Sequence, residues 1–296
     1  MAAPSLTTTE ITTQPDCWQR AADLAPGQSG KLPARGERVA VIGCGTSWFM
    51  AQSYATLRES TGHGETDAFA ASEFPLGRSY DRVLAITRSG TTTEVLRACE
   101  QLLGSTPVTA ITADPKTPVM QAADEIVVLD FADEQSVVQT RFATTALALL
   151  RAHLGEDLTT AIADARTAVS DKLASEALAA EQITFLGTGW TYGLAQEAAL
   201  KMREAAGAWT EAYPAMEYRH GPISITGPGR VAWSFGPLPE GLAANVAAVG
   251  GHLEHRPAAD PLADLIRAQR LAVAIAEAKG YDPDRPRNLT RSVILS

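Results

Sequence analysis

Ile86-Thr87-Arg88-Ser89-Gly90-Thr91-Thr92-Thr93-Glu94 is the stretch whose reading decides the fold. Ahead of it, Arg82-Val83-Leu84-Ala85-Ile86 is a short apolar run of the kind that forms a buried strand. Behind it, residues 94–103 carry apolar side chains at helical spacing. The junction between strand and helix holds the hydroxyls of Thr87, Ser89, Thr91 and Thr92, the guanidinium of Arg88, and Gly90. A helix start presents unpaired backbone N–H groups and the positive end of the helix dipole. Hydroxyls add donors, and a glycine lets the backbone approach a ligand closely. Together these are the parts of a phosphate cradle. An ordinary Ser/Thr cap is the competing reading, but one cap needs one hydroxyl. The G-x-x-x-x-G-K-[ST] spacing of a Walker loop is missing.

Outward from this stretch, strands alternate with helices. Arg38–Gly43 reads as a buried strand that meets Cys44-Gly45-Thr46-Ser47 and then a helix from Trp48 to about Arg58. Further strands are expected at Thr66–Ala70, Pro107–Thr112 and Glu125–Leu129, with helices over Pro15–Leu24, Val138–Leu154 and Leu158–Ala180. Residues 1–13 read as a frayed start, and Gly27–Gly36 as a loop. Such alternation implies parallel βαβ units in a doubly wound sheet, where ligands sit beyond the carboxyl ends of the strands. Both Cys44–Ser47 and Thr87–Thr92 fall there.

The pattern then recurs. Val39-Ala40-Val41-Ile42-Gly43-Cys44-Gly45-Thr46-Ser47 is echoed by Ile183-Thr184-Phe185-Leu186-Gly187-Thr188-Gly189-Trp190-Thr191, and Arg82-Val83 by Arg230-Val231. The two offsets nearly agree, so two copies of one α/β domain are expected. The expected division is a helical segment at 1–30, a first domain at 31–165, and a second domain with the tail at 166–296. Where the first copy has its hydroxyl loop, the second has Phe235-Gly236-Pro237-Leu238-Pro239-Glu240-Gly241, without a hydroxyl. The first copy is therefore the expected phosphate binder. The second carries reactive groups instead. Lys201 and Glu204 share one face of a strong helix-forming run, either as a catalytic pair or as an ordinary ion pair. His220 stands between Glu217, Arg219 and a Gly221-Pro222 turn, a setting that suits a proton-transfer histidine.

The 296 residues fit about two domains. A chain that is 45% hydrophobic and 20% charged can build a sizeable core, and a net charge of -9 disfavours nucleic acid and anionic membranes as partners. An anionic small substrate would need local positive charge, for which Arg88 is the first candidate. Cys17, Cys44 and Cys99 form neither a C-x-x-C motif nor a disulfide framework, which fits a reducing cytoplasm. Neither a signal peptide nor a membrane-spanning run is apparent. No metal or organic cofactor is expected; the pair His252 and His255 lacks further ligands nearby.

Taken in order, these motifs resemble the tandem sugar-isomerase (SIS) domain proteins, in particular the isomerase half of glucosamine-6-phosphate synthase and the amino-sugar phosphate deaminase/isomerases. The matching pieces are Glu10-Ile11 with Gln14-Pro15, Cys44-Gly45-Thr46-Ser47, Ala71-Ser72-Glu73-Phe74 and Ser89-Gly90-Thr91-Thr92. They continue with Ala198-Ala199-Leu200-Lys201 and Glu204, His220-Gly221-Pro222, and Pro286-Arg287-Asn288-Leu289 with Ser292-Val293. The resemblance implies two flavodoxin-like parallel-sheet domains acting on a hexose or hexosamine 6-phosphate. It implies a phosphate held by Ser89, Thr92, Thr87 and Ser47, with Thr46 nearby, and a sugar site lined by Val137 and Gln139. Glu204 would move a proton between sugar carbons 1 and 2, and Lys201 would assist at the oxygen or nitrogen on carbon 2. His220 would open the ring, reaching the site from the second subunit of a homodimer.

Some positions depart from the synthase pattern. Thr87 and Arg88 stand where the synthase has Ser-Gln, Gln139 replaces a serine, and Arg291 replaces a tail lysine, which removes Schiff-base chemistry at that place. Arg88-Ser89-Gly90 and Arg219-His220-Gly221-Pro222 look closer to the galactosamine-6-phosphate deaminase/isomerase branch. With Ala2 at the start there is no room for an amide-hydrolysing domain, so glutamine-driven synthesis is not expected of this chain alone. The expectation is a phosphosugar isomerase or amino-sugar phosphate deaminase. A non-catalytic phosphosugar-binding regulator is the alternative, and it would need the phosphate loop but neither Glu204 nor His220.

Overall fold

Two parallel sheets organise the chain in a computed structural model that describes residues 4–295. They belong to two compact units. One holds Thr13–Leu158 together with the tail from Thr290 on; the other holds the residues up to Thr12 and Thr159–Leu289.

In the first unit the strands are β1 (Val39–Gly43), β2 (Thr66–Ala70), β3 (Arg82–Ile86), β4 (Val108–Thr112) and β5 (Glu125–Val128). They run parallel in the order β2-β1-β3-β4-β5, the flavodoxin-like doubly wound arrangement. The central strands β1, β3 and β4 are near-continuous apolar runs because both of their faces are covered. One face packs Ala40, Ile42, Val83 and Ala85 against Val95, Ala98, Cys99 and Leu102 of α4 (Thr93–Leu102). The other helices of the unit are α2 (Gln14–Gln28), α3 (Thr46–Ser60), α5 (Val119–Ala122) and α6 (Arg141–His153).

The second sheet has the order β7-β6-β8-β9, from β6 (Gln182–Gly187), β7 (Thr210–Pro214), β8 (Arg230–Phe235) and β9 (His252–His255). This repeats the first four positions of the first sheet. The loops repeat too: Gly45 and Gly189 have φ of 53° and 59°, and Gly90 and Gly236 have φ of 60° and 71°. The unit's helices are α1 (Leu6–Thr12), α7 (Thr159–Ala168), α8 (Ser175–Leu178), α9 (Thr191–Ala206), α10 (Leu242–Ala248) and α11 (Pro261–Ala278).

Several expectations are corrected. The supposedly frayed start contains α1, because the distant Asp284 carboxylate accepts from the Leu6 and Thr7 N–H groups at 2.9 and 2.8 Å and from the Thr7 hydroxyl at 2.7 Å. The helix expected over 158–180 is broken into α7 and α8. Arg270 Nη1 donates to the carbonyls of Ala168 and Asp171, both at 2.7 Å, and so satisfies the end of α7 in place of continued helix. Helix α6 begins at Arg141 rather than Val138, and α2 runs to Gln28 with Pro26 inside it. The segment 1–30 is not a separate body: α1 and α2 fall in different units, and the tail from Thr290 belongs with the first sheet. Strands β7 and β9 carry weak or charged patterns that the sequence reading passed over, and it also passed over helix α11, although apolar residues recur along that helix at helical spacing.

Gly187, which closes β6, sits where a Cβ would lie 2.3 Å from the Thr191 carbonyl oxygen at the start of α9. That neighbour is backbone and cannot swing away. Gly187→Ala is expected to cost at least about 2 kcal/mol, the scale of an overpacked core, and to lower the melting temperature by several degrees. An unchanged melting curve would show that α9 can withdraw from β6.

Candidate functional site

The hydroxyl-rich loop leaves β3 at Ile86 and enters α4 at Thr93. Thr87, Arg88 and Ser89 are buried, while Thr91 and Thr92 are half-buried. The Ser89 and Thr92 hydroxyl oxygens stand 3.5 Å apart, and the Thr91 N–H donates to Ser89 Oγ at 3.3 Å. Gly90 at φ 60° makes the turn; a Cβ there would lie 2.1 Å from Thr117 Oγ1 and 2.8 Å from Val119 Cγ1. Thr46 and Ser47 form the buried start of α3, and Gln139 Nε2 donates to Ser47 Oγ at 3.5 Å. Val137 is half-buried in the same loop as Gln139. The hydroxyls of two helix starts and the side chains of the 137–139 loop thus lie within one unit, at the carboxyl ends of parallel strands.

The tail is bound to this loop. Thr91 Oγ1 donates to Ser292 Oγ at 2.9 Å, the Thr93 N–H to the Val293 carbonyl at 3.2 Å, and the Leu295 N–H to Thr93 Oγ1 at 2.9 Å. Arg291 hydrogen-bonds the Glu134 carbonyl and pairs with Asp133.

Arg88, the first candidate for local positive charge, turns its guanidinium to the chain's own backbone. Its Nη2 donates to the carbonyls of Val137 and Arg291 at 3.3 and 2.9 Å, and its Nη1 donates to the Ser136 carbonyl at 3.3 Å. Nη1 also lies 3.7 Å from Glu134 Oε2, both side chains being buried. Glu134 in turn caps α6: its Oε1 accepts from the Thr140 and Arg141 N–H groups at 2.6 and 2.7 Å and from Thr140 Oγ1 at 2.8 Å. No sequence signal marked Glu134, because its partner Arg88 is distant in the chain.

In the second unit, Lys201 and Glu204 share the face of α9 that the sequence assigned them. Lys201 Nζ hydrogen-bonds Glu204 Oε2 and lies 3.5 Å from Glu197 Oε1. Lys201 and Glu197 are buried, whereas the Glu204 side chain is 19% exposed. The ammonium is thus clamped between two carboxylates, one sealed and one open. The i,i+4 spacing of Glu197 and Lys201 was the available signal for the sealed one. Glu204 borders a cavity of about 510 Å³ with Arg203, Tyr281, Arg285, Arg287 and Asn288. His220 ends a short 3-10 turn, Glu217–His220, and is exposed. His255 Nε2 is 2.9 Å from the Gly236 carbonyl and His252 Nε2 is 3.6 Å from Glu254. Among the described residues no group of three or more His, Cys, Asp or Glu side chains is placed to hold a metal ion. Among them also, no helix is long and apolar enough to cross a membrane.

Comparison with known proteins adds what this chain is similar to. Residues 34–154 match the SIS domain. The matched SIS domain spans β1 through α6, and with them Thr46, Ser47, residues 87–92, Val137 and Gln139; Lys201, Glu204 and His220 lie beyond it. Among curated proteins, the chain is similar to a glutamine–fructose-6-phosphate aminotransferase (isomerizing) of Sulfurisphaera tokodaii, at 28% identity over 88% of the chain and 50% of that protein. It is also similar to its Bacillus subtilis counterpart, at 27% identity over 91% of the chain and 53% of that protein. The chain therefore spans about half the length of these relatives. Among solved structures, it shares its fold with a glucosamine-6-phosphate deaminase from Thermotoga maritima, with a TM-score of 0.80 at 23% identity, covering 98% of this chain and 100% of that one. It likewise shares the fold of a tagatose-6-phosphate ketose/aldose isomerase from Escherichia coli, with a TM-score of 0.79 at 20% identity over 98% of each chain.

Cys44 lies just before the start of α3, and its chemistry can be checked directly. Burial, aided by the nearby Glu94 carboxylate, pushes its thiol up to about 11, and burial pushes Cys99 up to about 12. Only the thiolate reacts, so at pH 8 about one Cys44 in a thousand is ready to react. Alkylation of the native protein by iodoacetamide at pH 8 is expected to be far slower than in urea, and to accelerate as the pH rises toward 11. Prompt labelling of Cys44 at pH 8 in the folded protein would contradict this burial.

Proposed function

We propose that the protein is a phosphosugar aldose/ketose isomerase or an amino-sugar 6-phosphate deaminase that works by proton transfer between carbons 1 and 2. The observation that carries this reading is the Lys201–Glu204 pair. A buried ammonium is paired with the sealed Glu197 and with Glu204, a partly exposed residue that borders a cavity of about 510 Å³. An ordinary surface ion pair would have both partners in water. A binding module would need only the hydroxyl loop of the SIS domain.

In the proposed reaction, Ser89, Thr92, Thr87 and Ser47 hold the phosphate with the N–H groups at the start of α4. Glu204 takes the proton from carbon 2 of the open-chain sugar. The electron pair left behind forms the C1–C2 double bond, and the carbonyl oxygen on carbon 1 takes up a proton. Returning the proton to carbon 1, while the hydroxyl on carbon 2 gives up its own proton to form the carbonyl, gives the ketose. Where carbon 2 bears nitrogen, the same transfer gives an imine at that carbon, and water releases ammonia from it. The Lys201 ammonium stabilises the oxygen or nitrogen on carbon 2, and His220 serves as the acid that opens the ring. Because His220 is exposed at a turn, we further propose that the active form is a homodimer in which it completes the partner's site.

Glu204→Gln keeps the shape and loses the basicity. It is expected to abolish turnover and carbon-2 proton exchange with deuterated water while leaving sugar-phosphate affinity nearly intact. The assay uses a panel of hexose and hexosamine 6-phosphates and follows ammonia, ketose and exchange together. Exchange at the wild-type rate in Glu204→Gln would remove Glu204 from the reaction. No exchange in wild type with any sugar of the panel would leave the binding-module reading. Sedimentation at micromolar concentration is expected to show a dimer, and a fully active monomer would end the shared-histidine proposal.

A further inference from the structure

We infer that Arg88 is a positioning residue that ties the sugar-lining loop and the tail to the phosphate loop, and that the phosphate is recognised without a guanidinium. Three carbonyls converge on its side chain, those of Ser136, Val137 and Arg291. Each belongs to a segment that has to be held in place. Ser136 and Val137 lead into Gln139, whose amide reaches Ser47, and Arg291 opens the tail that lies on Thr91 and Thr93. The Arg88 carbonyl is fixed as well, accepting from the Ala113 N–H at 3.1 Å and Thr112 Oγ1 at 3.3 Å.

Charge points the same way. The buried Glu134 carboxylate lies 3.7 Å from the guanidinium and neutralises it. An anion entering the loop would share the cation with a carboxylate that already takes hydrogen bonds from the start of α6. The hydroxyls of Ser89 and Ser47 meet neutral partners, the Thr91 N–H and the Gln139 amide. The planar fork of arginine suits this task, because it can serve several carbonyls at once, where a lysine ammonium is a single point of charge. This also accounts for an arginine inside the phosphate loop with only 4% of its surface exposed.

The test uses the full chain and compares wild type, Arg88→Gln, Arg88→Lys and Ser89→Ala, with melting curves to check folding. Trypsin cleavage after Arg291 reads the tail. Both Arg88 variants are expected to be cut about tenfold faster than wild type, since a lost hydrogen bond raises the open population by that order. Inorganic phosphate, titrated by calorimetry, reads the cradle. Affinity is expected to stay within about threefold in Arg88→Lys and to fall by about tenfold in Ser89→Ala, where a hydrogen bond to a charged group is lost. The activity arm rests on the proposed function: kcat is expected to fall by about tenfold or more in Arg88→Lys with KM nearly unchanged, the mark of an interaction that acts on the reacting geometry. Loss of phosphate affinity in Arg88→Lys as large as in Ser89→Ala would make Arg88 a ligand and overturn the inference. So would unchanged tail cleavage in both Arg88 variants. If wild type turned over no phosphosugar, the proposed function would fail, while the trypsin and phosphate measurements would still decide the role of Arg88.

Discussion

A helix can start hard against the end of a parallel strand only where no Cβ stands between them. Gly43 and Gly187 meet this requirement in the two units: a Cβ would lie 2.7 Å from the Ser47 carbonyl carbon at the first and 2.3 Å from the Thr191 carbonyl oxygen at the second. The close approach brings the N–H groups of α3 and α9 to the carboxyl ends of β1 and β6. It is the backbone condition for an anion site in a doubly wound sheet. The two units then use it differently. In the first, Thr46, Ser47 and the 87–92 loop add hydroxyls around the helix starts. In the second, Thr191 turns its hydroxyl to the Phe235 carbonyl at 2.8 Å, and Lys201 and Glu204 lie further along α9.

Buried charge is handled alike in both units. Arg88 faces Glu134, Lys201 faces Glu197 and Glu204, and Arg267 bridges Asp264 and Glu254 at 2.7 and 2.6 Å. A buried ion is tolerated when its partner and its hydrogen bonds are both present. Trp233 Nε1 supplies one such bond to Asp264 at 2.8 Å, yet burial still raises the Asp264 carboxyl above the usual range. In the Lys201 group Glu204 is the partly open carboxylate at 19% exposure, as Glu254 is in the Arg267 group at 12%.

What the sequence made legible follows from where the signal was local. The first sheet could be read because its central strands β1 and β3 are short apolar runs whose carboxyl ends carry recognisable turns, at Gly43–Ser47 and Ile86–Thr93. Lys201 and Glu204 could be read because helical spacing fixes their common face. Strand β9, His-Leu-Glu-His, could not, since an edge strand studded with charge has no apolar alternation to show. Helix α1 depends on Asp284, and the inward turn of Arg88 depends on carbonyls at 136, 137 and 291. Contacts of such separation leave no periodic trace, and a loop arginine looks the same in sequence whether it meets a ligand or the chain's own backbone.

The most direct measurement is a crystal structure of the protein soaked with a hexose 6-phosphate. The phosphorus is expected at the start of α4, with phosphate oxygens about 3 Å or less from the Ser89 and Thr92 hydroxyls. A phosphate lodged instead against Arg203, Arg285 or Arg287 in the cavity beside Glu204, with the 87–92 loop empty, would contradict the assignment of the cradle.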